Sequence, residues 1–370
     1  MFADKLITDF LLEVSEIRLL AVDNLKDGMR IAKNVYWSDG NVLLARGVCL
    51  HHGFIEKLKA FGITSVYIID DLVGKIDVDE LVTEQTRTEA TKIVKETMHN
   101  VKNARTPEGE KVIKIVDSIT DELIHNPNII INLVEVRAMN DYTFAHCLGV
   151  SILAMVTGIG MGYDYRNLKE LGIGAILHDI GKAFIPDDLL YKPGPLSKEE
   201  YEAIKTHTKL GYDIIHDCND FSISAAHVAL EHHEKFDGTG YPCGLKGGSI
   251  HEFARITALA DVYDALTTNR SYRDQIMPHE AIEYLRDSEG IAFDPEIAEI
   301  FLDKIAPFPV GSIVQLNNGE KAVVIKINKE FPGRPVVASI YDGAGNRLLQ
   351  PAERDLRKDL TLFIEKVLED

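Results

Sequence analysis

The spacing of apolar residues changes along this chain and divides it into regions with different predicted secondary structure. From Ile17 to Asp71, short apolar runs alternate with turn sequences, which predicts strands, whereas Phe54–Phe61 has the spacing of a helix. Residues 3–14, with apolar side chains four apart, predict a further amphipathic helix. The predicted strands are Leu19–Val22, Arg30–Tyr36, Asn41–Leu44 and Ser65–Ile69. These elements predict a small α+β domain over residues 1–75, which we interpret as regulatory.

A highly charged helical segment follows over residues 79–126, with an interruption at Arg105–Gly109. Its first part carries spaced apolar positions that form one stripe. These positions are Leu81, Ile93, Val94 and Met98. Such a stripe fits either a solvated linker helix or a seam between two copies of the chain, and the second interpretation makes a homodimer through these helices. We treat residues 76–127 as a helical connector.

The remainder predicts a helical domain followed by a small β-rich region. From Asn128 to Ile305 the pattern is that of successive helices, which predicts an all-helical domain over residues 128–306. Residues 307–370 then return to strand patterns joined by turn sequences. The predicted strands are Gly311–Leu316, Lys321–Ile327 and Val336–Tyr341, and Leu360–Leu368 is predicted to close the chain as a helix. The expected fold class is therefore multidomain and mainly α.

Composition narrows the classes of function. The net charge of −18, from 40 basic and 58 acidic residues, argues against long nucleic acid as a partner, because phosphate backbones are bound by basic surfaces. A small phosphate ligand remains compatible, since a metal centre supplies positive charge locally. No apolar run approaches the roughly 18 residues that span a bilayer, and the N-terminus lacks a signal-peptide layout. Four separated cysteines without a C-x-x-C pattern indicate reduced thiols. We expect a cytoplasmic protein.

Histidines and aspartates recur inside the apolar helices of the predicted domain. The pair His178-Asp179 follows the apolar run 174–177, and an unpaired buried carboxylate is energetically unfavourable. A metal removes that penalty, and the two oxygens of an aspartate can bridge two cations. The candidate ligands are His146, His178, Asp179, His207, His232, His233 and Asp261. Nitrogen and oxygen donors without thiolate favour iron or manganese, and seven donors exceed one coordination sphere, which predicts two divalent metal ions.

The complete spaced set resembles a known family. The set runs His146 … His178-Asp179 … Lys182 … His207 … His232-His233-Glu234 … Gly240-Tyr241-Pro242 … Asp261. It resembles the HD-GYP family, the subgroup of HD-domain phosphohydrolases that cleaves cyclic dinucleotides. The resemblance covers about residues 130–305 and includes Arg270-Ser271-Tyr272-Arg273. The region Leu25–Ile69 also resembles a poorly characterised domain that often precedes HD-GYP units in bacteria.

This resemblance implies a fold, a cofactor and a reaction. The fold would be a seven-helix core, with the seven candidate ligands holding a metal pair that Asp179 bridges. The substrate would be cyclic di-GMP, hydrolysed to pGpG, with GMP as a further product. A hydroxide bridging the metals would attack phosphorus in line, while the metals neutralise the developing charge. Catalytic roles then fall to Asp179 and Lys182.

The resemblance also implies substrate contacts. Lys182 would hold a phosphate or assist the leaving 3′ oxygen, and Arg270 and Arg273 would clamp phosphates through bidentate hydrogen bonds. Tyr241 would pack against a guanine or ribose, beside Gly240, where the absence of a Cβ lets backbone approach a ligand. Structural alternatives are a Lys182 that caps a helix C-terminus and an Arg273 that pairs with a surface carboxylate.

One position departs from part of the family. Some members carry a glutamate one helical turn before the first histidine, where it helps to hold a third metal. Here that position is Tyr142, and Asp141 lies about 140° round the helix from His146. We therefore expect no third metal.

Three other functions compete with the cleavage of cyclic di-GMP. The first is a phosphodiesterase for another cyclic dinucleotide, such as a mixed cyclic GMP–AMP, because no residue identifies the base. The second is a non-catalytic cyclic-di-GMP receptor, against which the intact ligands and Gly240-Tyr241-Pro242 argue. The third is a nucleoside triphosphate hydrolase of the wider HD superfamily, and the Gly-Tyr-Pro stretch argues against it.

Overall fold

The computed structural model describes residues 17–37, 41–61, 63, 65–69, 81–104, 106–125, 130–132, 142–192, 194–268 and 275–368. The helix predicted over residues 3–14 lies outside these ranges. Within them, a small α+β region, a helical domain and a C-terminal sheet follow one another along the chain. The predicted fold class, multidomain and mainly α, is confirmed.

The N-terminal region is built from five short strands and one helix. Its elements are β1 (Ile17–Ala21), β2 (Arg30–Ile31), β3 (Val35–Tyr36), β4 (Val42–Leu44), α1 (His52–Ala60) and β5 (Ser65–Ile69). Strand β5 pairs antiparallel with both β1 and β2, and β3 pairs with β4. The single strand predicted over 30–36 is two strands, because the chain bends at Ala32 and Lys33 between them. The Oδ1 atom of Asn34 accepts the Arg46 N–H at 2.7 Å, and its Nδ2 reaches Glu84 at 2.9 Å.

The central domain is helical. Its helices are α2 (Glu84–Ala104), α3 (Gly109–Ile124), α4 (Tyr142–Gly160), α5 (Tyr165–Ile176), α6 (Asp187–Leu190), α7 (Lys198–His216), α8 (Ile223–Glu231), α9 (Glu252–Thr267), α10 (Pro278–Asp287) and α11 (Pro295–Leu302). Helix α4 carries no charged residue between Phe144 and Gly160, and an all-apolar helix is stable only when it is enclosed. It packs against α2, α5 and α9. None of the helices in the described part of the chain combines the length and the apolar character that a bilayer crossing requires.

Helices α2 and α3 belong to the same buried core as the helices that follow. Leu81, Val94 and Met98 of the predicted stripe are buried within the chain, and Ile93 packs against the same core. The carboxylate of Glu122 on α3 accepts the Thr83 N–H at the start of α2 at 2.6 Å. The segment is therefore not a solvated linker, and its apolar stripe is already covered and not open to a second copy. One buried core therefore extends from Leu81 to Ile305, and the boundary at 127 stays a prediction from the sequence.

The C-terminal region is a five-stranded antiparallel sheet of order β10-β6-β7-β8-β9. The strands are β6 (Ile313–Leu316), β7 (Lys321–Lys326), β8 (Val336–Tyr341), β9 (Arg347–Asp355) and β10 (Ile364–Leu368). The helix predicted over 360–368 is wrong, because this segment pairs as β10 with the open side of β6. The sequence pattern also missed β9, which contains Pro351. A proline is tolerated there because β9 is an edge strand.

The first and last sheets pack against each other. Ile17, Ala32 and Tyr67 share one buried cluster with residues of the C-terminal sheet such as Val314. The Leu19 N–H donates to the Gly311 carbonyl at 3.1 Å. Gly311 has a φ of +90°, and a Cβ there would lie 3.1 Å from the Leu19 nitrogen. The two β-containing regions therefore form one continuous body beside the helices.

Candidate metal centre

Seven side chains singled out from the sequence converge inside the helical domain. They are His146 from α4, His178 and Asp179 from the turn after α5, His207 from α7, His232 and His233 directly after α8, and Asp261 from α9. We call these seven residues the metal centre. Asp179 lies in the middle, because its ligand atoms belong to two groups of possible metal donors, one with His146 and His178 and the other with His207, His232 and His233.

The distances around Asp179 suit shared cations. Its Oδ2 lies 3.3 Å from His178 Nε2 and 3.9 Å from His146 Nε2. Its Oδ1 lies 3.5 Å from His207 Nε2 and 3.7 Å from His232 Nε2. Two donors that each lie about 2.1 Å from one ion are about 3 to 3.5 Å apart, so small adjustments would place an ion on each side of the carboxylate.

Four of the imidazoles are oriented by hydrogen bonds at Nδ1. The acceptors are Asp264 Oδ2 for His146 at 2.7 Å, the Ala175 carbonyl for His178 at 2.7 Å, the Ile204 carbonyl for His207 at 2.7 Å, and the Val228 and Ala229 carbonyls for His232 at 3.1 Å. In His178, His207 and His232 a proton on Nδ1 leaves the lone pair of Nε2 directed at Asp179, whereas Nε2 of His146 lies closer to Asp261. Outer hydrogen bonds of this kind fix the tautomer of metal-binding histidines.

Among the described residues, two buried atoms of the centre find no hydrogen-bond partner. They are His178 Nε2 and Asp179 Oδ1, on side chains that are at most 1% exposed. Buried polar atoms are almost always paired, and an unpaired one indicates a missing ion or water. A nitrogen lone pair and a carboxylate oxygen are both metal donors, so the residues present fit a metal pair.

The protonation states also suit cations. Burial opposes ionisation of Asp179, yet Lys182 and His178 hold its pKa well below its usual range. Burial lowers the pKa of His207 to about 4 and that of His233 to about 3, and the pKa of His232 also lies well below the ordinary value. At neutral pH Asp179 is therefore ionised, and the imidazoles of His207, His232 and His233 are neutral.

His146 and Asp261 face each other within the centre. The Nε2 atom of His146 lies 3.0 Å from Asp261 Oδ1. Burial lowers the pKa of His146, but hydrogen bonds to Asp261 and Asp264 outweigh it and raise the pKa overall. Despite its own burial, Asp261 has a pKa well below its usual range because it faces that imidazole.

Two glycines allow the close backbone contacts around the centre. A Cβ on Gly181 would lie 1.9 Å from the His207 carbonyl oxygen, so the turn that carries Asp179 can pack on α7 only with glycine here. A Cβ on Gly240 would lie 2.4 Å from the Glu234 Cα and 2.3 Å from the Lys235 nitrogen. Gly240 therefore serves the fold of its own loop.

Two of the predicted substrate residues, Lys182 and Tyr241, contact residues of the centre. Lys182, in a short 3-10 helix (Ile180–Phe184), places Nζ 2.5 Å from Asp179 Oδ2, so its ammonium points into the centre. The ring of Tyr241 stacks on His233 at a centroid distance of 4.8 Å, and Lys205 Nζ lies 5.4 Å from the Tyr241 ring centroid. Arg270 and Arg273 lie outside the described residues.

Sequence reasoning assigned no role to two buried carboxylates, Asp264 and Glu234, although Glu234 belongs to the recognised pattern. Asp264 orients His146, and its signal was a second acidic residue three positions after Asp261 in an apolar helix. Glu234 accepts the backbone N–H groups of Cys243, Gly244 and Leu245 at 2.6 to 3.0 Å and so holds the Gly-Tyr-Pro loop. Its only signal was an acidic residue directly after two candidate ligands.

Comparison with known proteins gives matches over both the helical domain and the C-terminal sheet. Residues 110–297 match the family described as HD domain, and residues 313–370 match the KOW domain associated with HD domain. Helix α2 precedes the first match, and the second contains strands β6 to β10.

Several curated proteins are similar to the helical part. A Pseudomonas aeruginosa protein named cyclic di-GMP phosphodiesterase is 35% identical over 212 residues, which cover 57% of this chain and 51% of that protein. A Thermotoga maritima protein with the same name is 41% identical over 143 residues, 38% of this chain and 39% of that one. A Vibrio cholerae protein named 3′3′-cGAMP-specific phosphodiesterase 2 is 35% identical over 183 residues, 49% of this chain and 34% of that one. The chain thus spans about half or less of the length of these relatives.

Proposed function

The chain belongs to the HD-domain family, whose profile matches residues 110–297, and from this premise we propose that it is a metal-dependent phosphodiesterase that hydrolyses cyclic di-GMP. The observation that carries the proposal is the position of Asp179. This buried carboxylate belongs to both groups of donor atoms, and one of its oxygens has no hydrogen bond to the part of the chain that the structure describes. A single carboxylate shared between two donor groups is the arrangement that holds two cations side by side.

The proposed cofactor is a pair of divalent ions, iron or manganese. His207, His232, His233 and Asp179 would hold one ion, and His146, His178 and Asp179 the other, with Asp261 beside His146. The donor set contains nitrogen and oxygen but no thiolate, which favours these metals over a structural zinc. We expect no third ion, because Tyr142 stands where some family members have a carboxylate.

The residues of the centre have different proposed roles in the reaction. When bound, the metal pair supplies activation of a water for in-line attack on phosphorus and neutralises charge on the phosphoryl oxygens. Asp179 keeps both donor groups in one place, and the hydrogen bond to Asp264 fixes the direction of His146. Lys182 lies where its ammonium can hold a phosphate oxygen or donate a proton to the leaving 3′ oxygen.

The identity of the substrate follows from the relatives more than from the site. Two of the three relatives described above carry the name cyclic di-GMP phosphodiesterase, which favours cyclic di-GMP, with pGpG and then GMP as products. The third is named for 3′3′-cGAMP, and this makes a mixed cyclic GMP–AMP the second candidate. In either case we expect Tyr241 to contact a base or ribose beside the metals, and its stacking on His233 supports this role. The phosphate clamp by Arg270 and Arg273 remains a prediction from the sequence.

The test is an anaerobic assay of metal content and turnover. The purified protein is loaded with ferrous or manganous ion, the metals per chain are counted, and cyclic di-GMP and 3′3′-cGAMP are followed separately by chromatography. His178→Ala is the test variant. His216→Ala, at the exposed end of α7 and outside the centre, is the matched histidine control.

We expect about two metals per chain and conversion of cyclic di-GMP to pGpG, both lost in His178→Ala and retained in His216→Ala. Turnover of 3′3′-cGAMP alone would make this compound the substrate, and the proposed hydrolysis of a phosphodiester would stand. Tight binding of cyclic di-GMP without turnover by the metal-loaded protein would overturn the hydrolase and leave a receptor.

A further inference from the structure

A cavity of about 460 Å³ lies between α2 and the segment that carries Lys182, the lysine that pairs with Asp179 of the metal centre. This volume suits a small ligand or part of a larger one. We call it the α2 pocket. Its lining includes three lysines of α2, Lys92, Lys95 and Lys102. The helix that forms this wall lies before residue 110, outside the segment that matches the HD domain.

The basic side chains of α2 share one face of the helix. Lys92, Lys95, His99 and Lys102 fall within an arc of about 80° at 3.6 residues per turn. The opposite face of the same helix is held in the core by Val94 and Val101, which are at most 2% exposed. The direction of the basic face is therefore fixed by packing, and it lines the pocket.

The described lining of the pocket is rich in lysine although the protein is acidic. Three lysines of α2 and two carboxylates belong to it, in a chain of net charge −18, and a fourth lysine, Lys182, pairs with Asp179. Lys92 lies 3.9 Å from Glu96 and Lys102 lies 3.6 Å from Asp187, with lysine side chains that are 72% and 54% exposed. Ion pairs this exposed are weak, so the ammonium groups can turn to an incoming anion at little cost.

The pocket also has an apolar floor. Met98, Phe144 and Leu190 line it, and Lys95 Nζ lies 5.8 Å from the Phe144 ring centroid. Basic groups above an aromatic ring are a combination that suits a nucleotide, because the cations bind phosphate and the ring stacks with a base.

Lys182 connects the pocket to the metal centre. Its Nζ lies 2.5 Å from Asp179 Oδ2, and the same residue lines the α2 pocket. A ligand with one phosphate at Asp179 can therefore extend past Lys182 towards α2. A cyclic dinucleotide has a second phosphate on the opposite side of its ring, which needs a cationic partner away from the metals.

We propose that the α2 pocket binds the phosphate of the cyclic dinucleotide that is not being cleaved, through Lys92, Lys95 and Lys102, with one base against Phe144. This proposal rests on the phosphodiesterase function proposed above and adds a substrate-positioning wall to it. Because the wall comes from α2, recognition of a substrate with two phosphates depends on a segment outside the HD-domain match.

The test uses two substrates to separate the contribution of the α2 lysines from that of the metal centre. The double variant Lys92→Gln/Lys102→Gln is compared with Lys114→Gln, an exposed lysine of α3 that pairs with Glu110 outside the pocket. Each protein is assayed with cyclic di-GMP and with bis(p-nitrophenyl) phosphate, a diester with one phosphate. Binding of cyclic di-GMP is also measured by calorimetry, and circular dichroism checks the fold.

We expect the double variant to raise KM and Kd for cyclic di-GMP about tenfold with kcat nearly unchanged, because uniform binding is lost. Cleavage of bis(p-nitrophenyl) phosphate should be unchanged, and Lys114→Gln should behave as the original protein. Unchanged KM and Kd for cyclic di-GMP in the double variant would overturn the proposed role of the α2 pocket. The proposed phosphodiesterase function would not be affected. If the original protein cleaves neither diester, the proposed function fails. The Kd values alone then test whether the α2 pocket binds a phosphate of cyclic di-GMP. The proposed role of the α2 pocket is also overturned if the protein does not bind cyclic di-GMP.

Discussion

His146 and Asp264 are joined by a hydrogen bond of 2.7 Å, from Nδ1 of the imidazole to Oδ2 of the carboxylate, across 118 positions of sequence. This bond directs the other ring nitrogen of His146 towards Asp179 and Asp261. Carboxylates that orient metal-binding histidines contribute about 10- to 100-fold to metal affinity. We therefore expect Asp264→Ala to weaken metal binding by about that factor, and Asp264→Asn, which retains an acceptor, to weaken it less.

Competition against a chelator of known affinity, with manganous ion under anaerobic conditions, measures this effect. Asp213→Ala is the control, because Asp213 pairs with Lys209 on the surface of α7. Equal metal affinity in Asp264→Ala and Asp213→Ala would show that His146 needs no orienting carboxylate.

The depressed pKa of His207 predicts that the metal-free protein loses stability in mild acid. Above pH 6.5 the imidazole is neutral in both folded and unfolded chains, so it contributes no pH dependence. Below that pH the unfolded chain takes up a proton that the folded protein resists until about pH 4. For this residue alone the free energy of unfolding should fall by about 2 kcal/mol between pH 7.5 and pH 5.

Urea unfolding of the metal-stripped protein at the two pH values checks this loss. The variant His207→Gln removes the titrating group, so its stability should fall less than that of the original protein over the same interval. An identical fall in both proteins would place the acid sensitivity elsewhere.

Gly181 should be intolerant of any side chain. A Cβ there would meet the His207 carbonyl oxygen at 1.9 Å and the Gly211 nitrogen at 2.7 Å, so Gly181→Ala must push the Asp179 turn away from α7. We expect a loss of at least about 2 kcal/mol in the free energy of unfolding, together with weaker metal binding. Gly248→Ala is the matched control, because a Cβ there meets nothing within 4 Å. Thermal unfolding and metal content should separate the two variants, and similar behaviour would contradict the tight packing at Gly181.

Glu234 should control the order of the Gly-Tyr-Pro loop. Glu234→Ala removes the acceptor of three backbone N–H groups, and leaving such groups unpaired destabilises a fold by about 1 to 3 kcal/mol. We expect faster cleavage by protease within residues 235–245 and a higher KM for the cyclic dinucleotide. Asp237→Ala changes a carboxylate in the same turn that bonds only to Thr239 nearby, and it should leave both measurements unchanged. Protection of the loop in Glu234→Ala would contradict this role.

The metal centre could be predicted from the sequence because its residues conflict with their surroundings. His178 and Asp179 follow an apolar run, and Asp261 lies in an apolar helix, so each needed a partner that the neighbouring sequence does not provide. Family resemblance then grouped them. The hydrogen bond from His146 to Asp264 could not be predicted in the same way, because nothing local indicates which of two acids on α9 faces the metals and which lies behind.

The elements that were mispredicted depend on distant partners. Residues Ile364–Leu368 contain good helix formers, but the open side of β6 offers hydrogen bonds that a single terminal turn of helix cannot match. Helix α2 was described as a connector because its exposed face is so charged. Only packing against α4 shows that its apolar side belongs to the core and that its lysines line a pocket.

The contact of the first sheet with the last has a consequence for synthesis. Ile17 and Tyr67 emerge early from the ribosome, yet the surface that covers them, around Val314, is translated only after all the helices. Domains tend to fold as they emerge, so the N-terminal region can assemble around Leu20 and Val66 while its other face is still bare. We expect that face to stay uncovered while the helical domain is translated, until the C-terminal sheet packs against it.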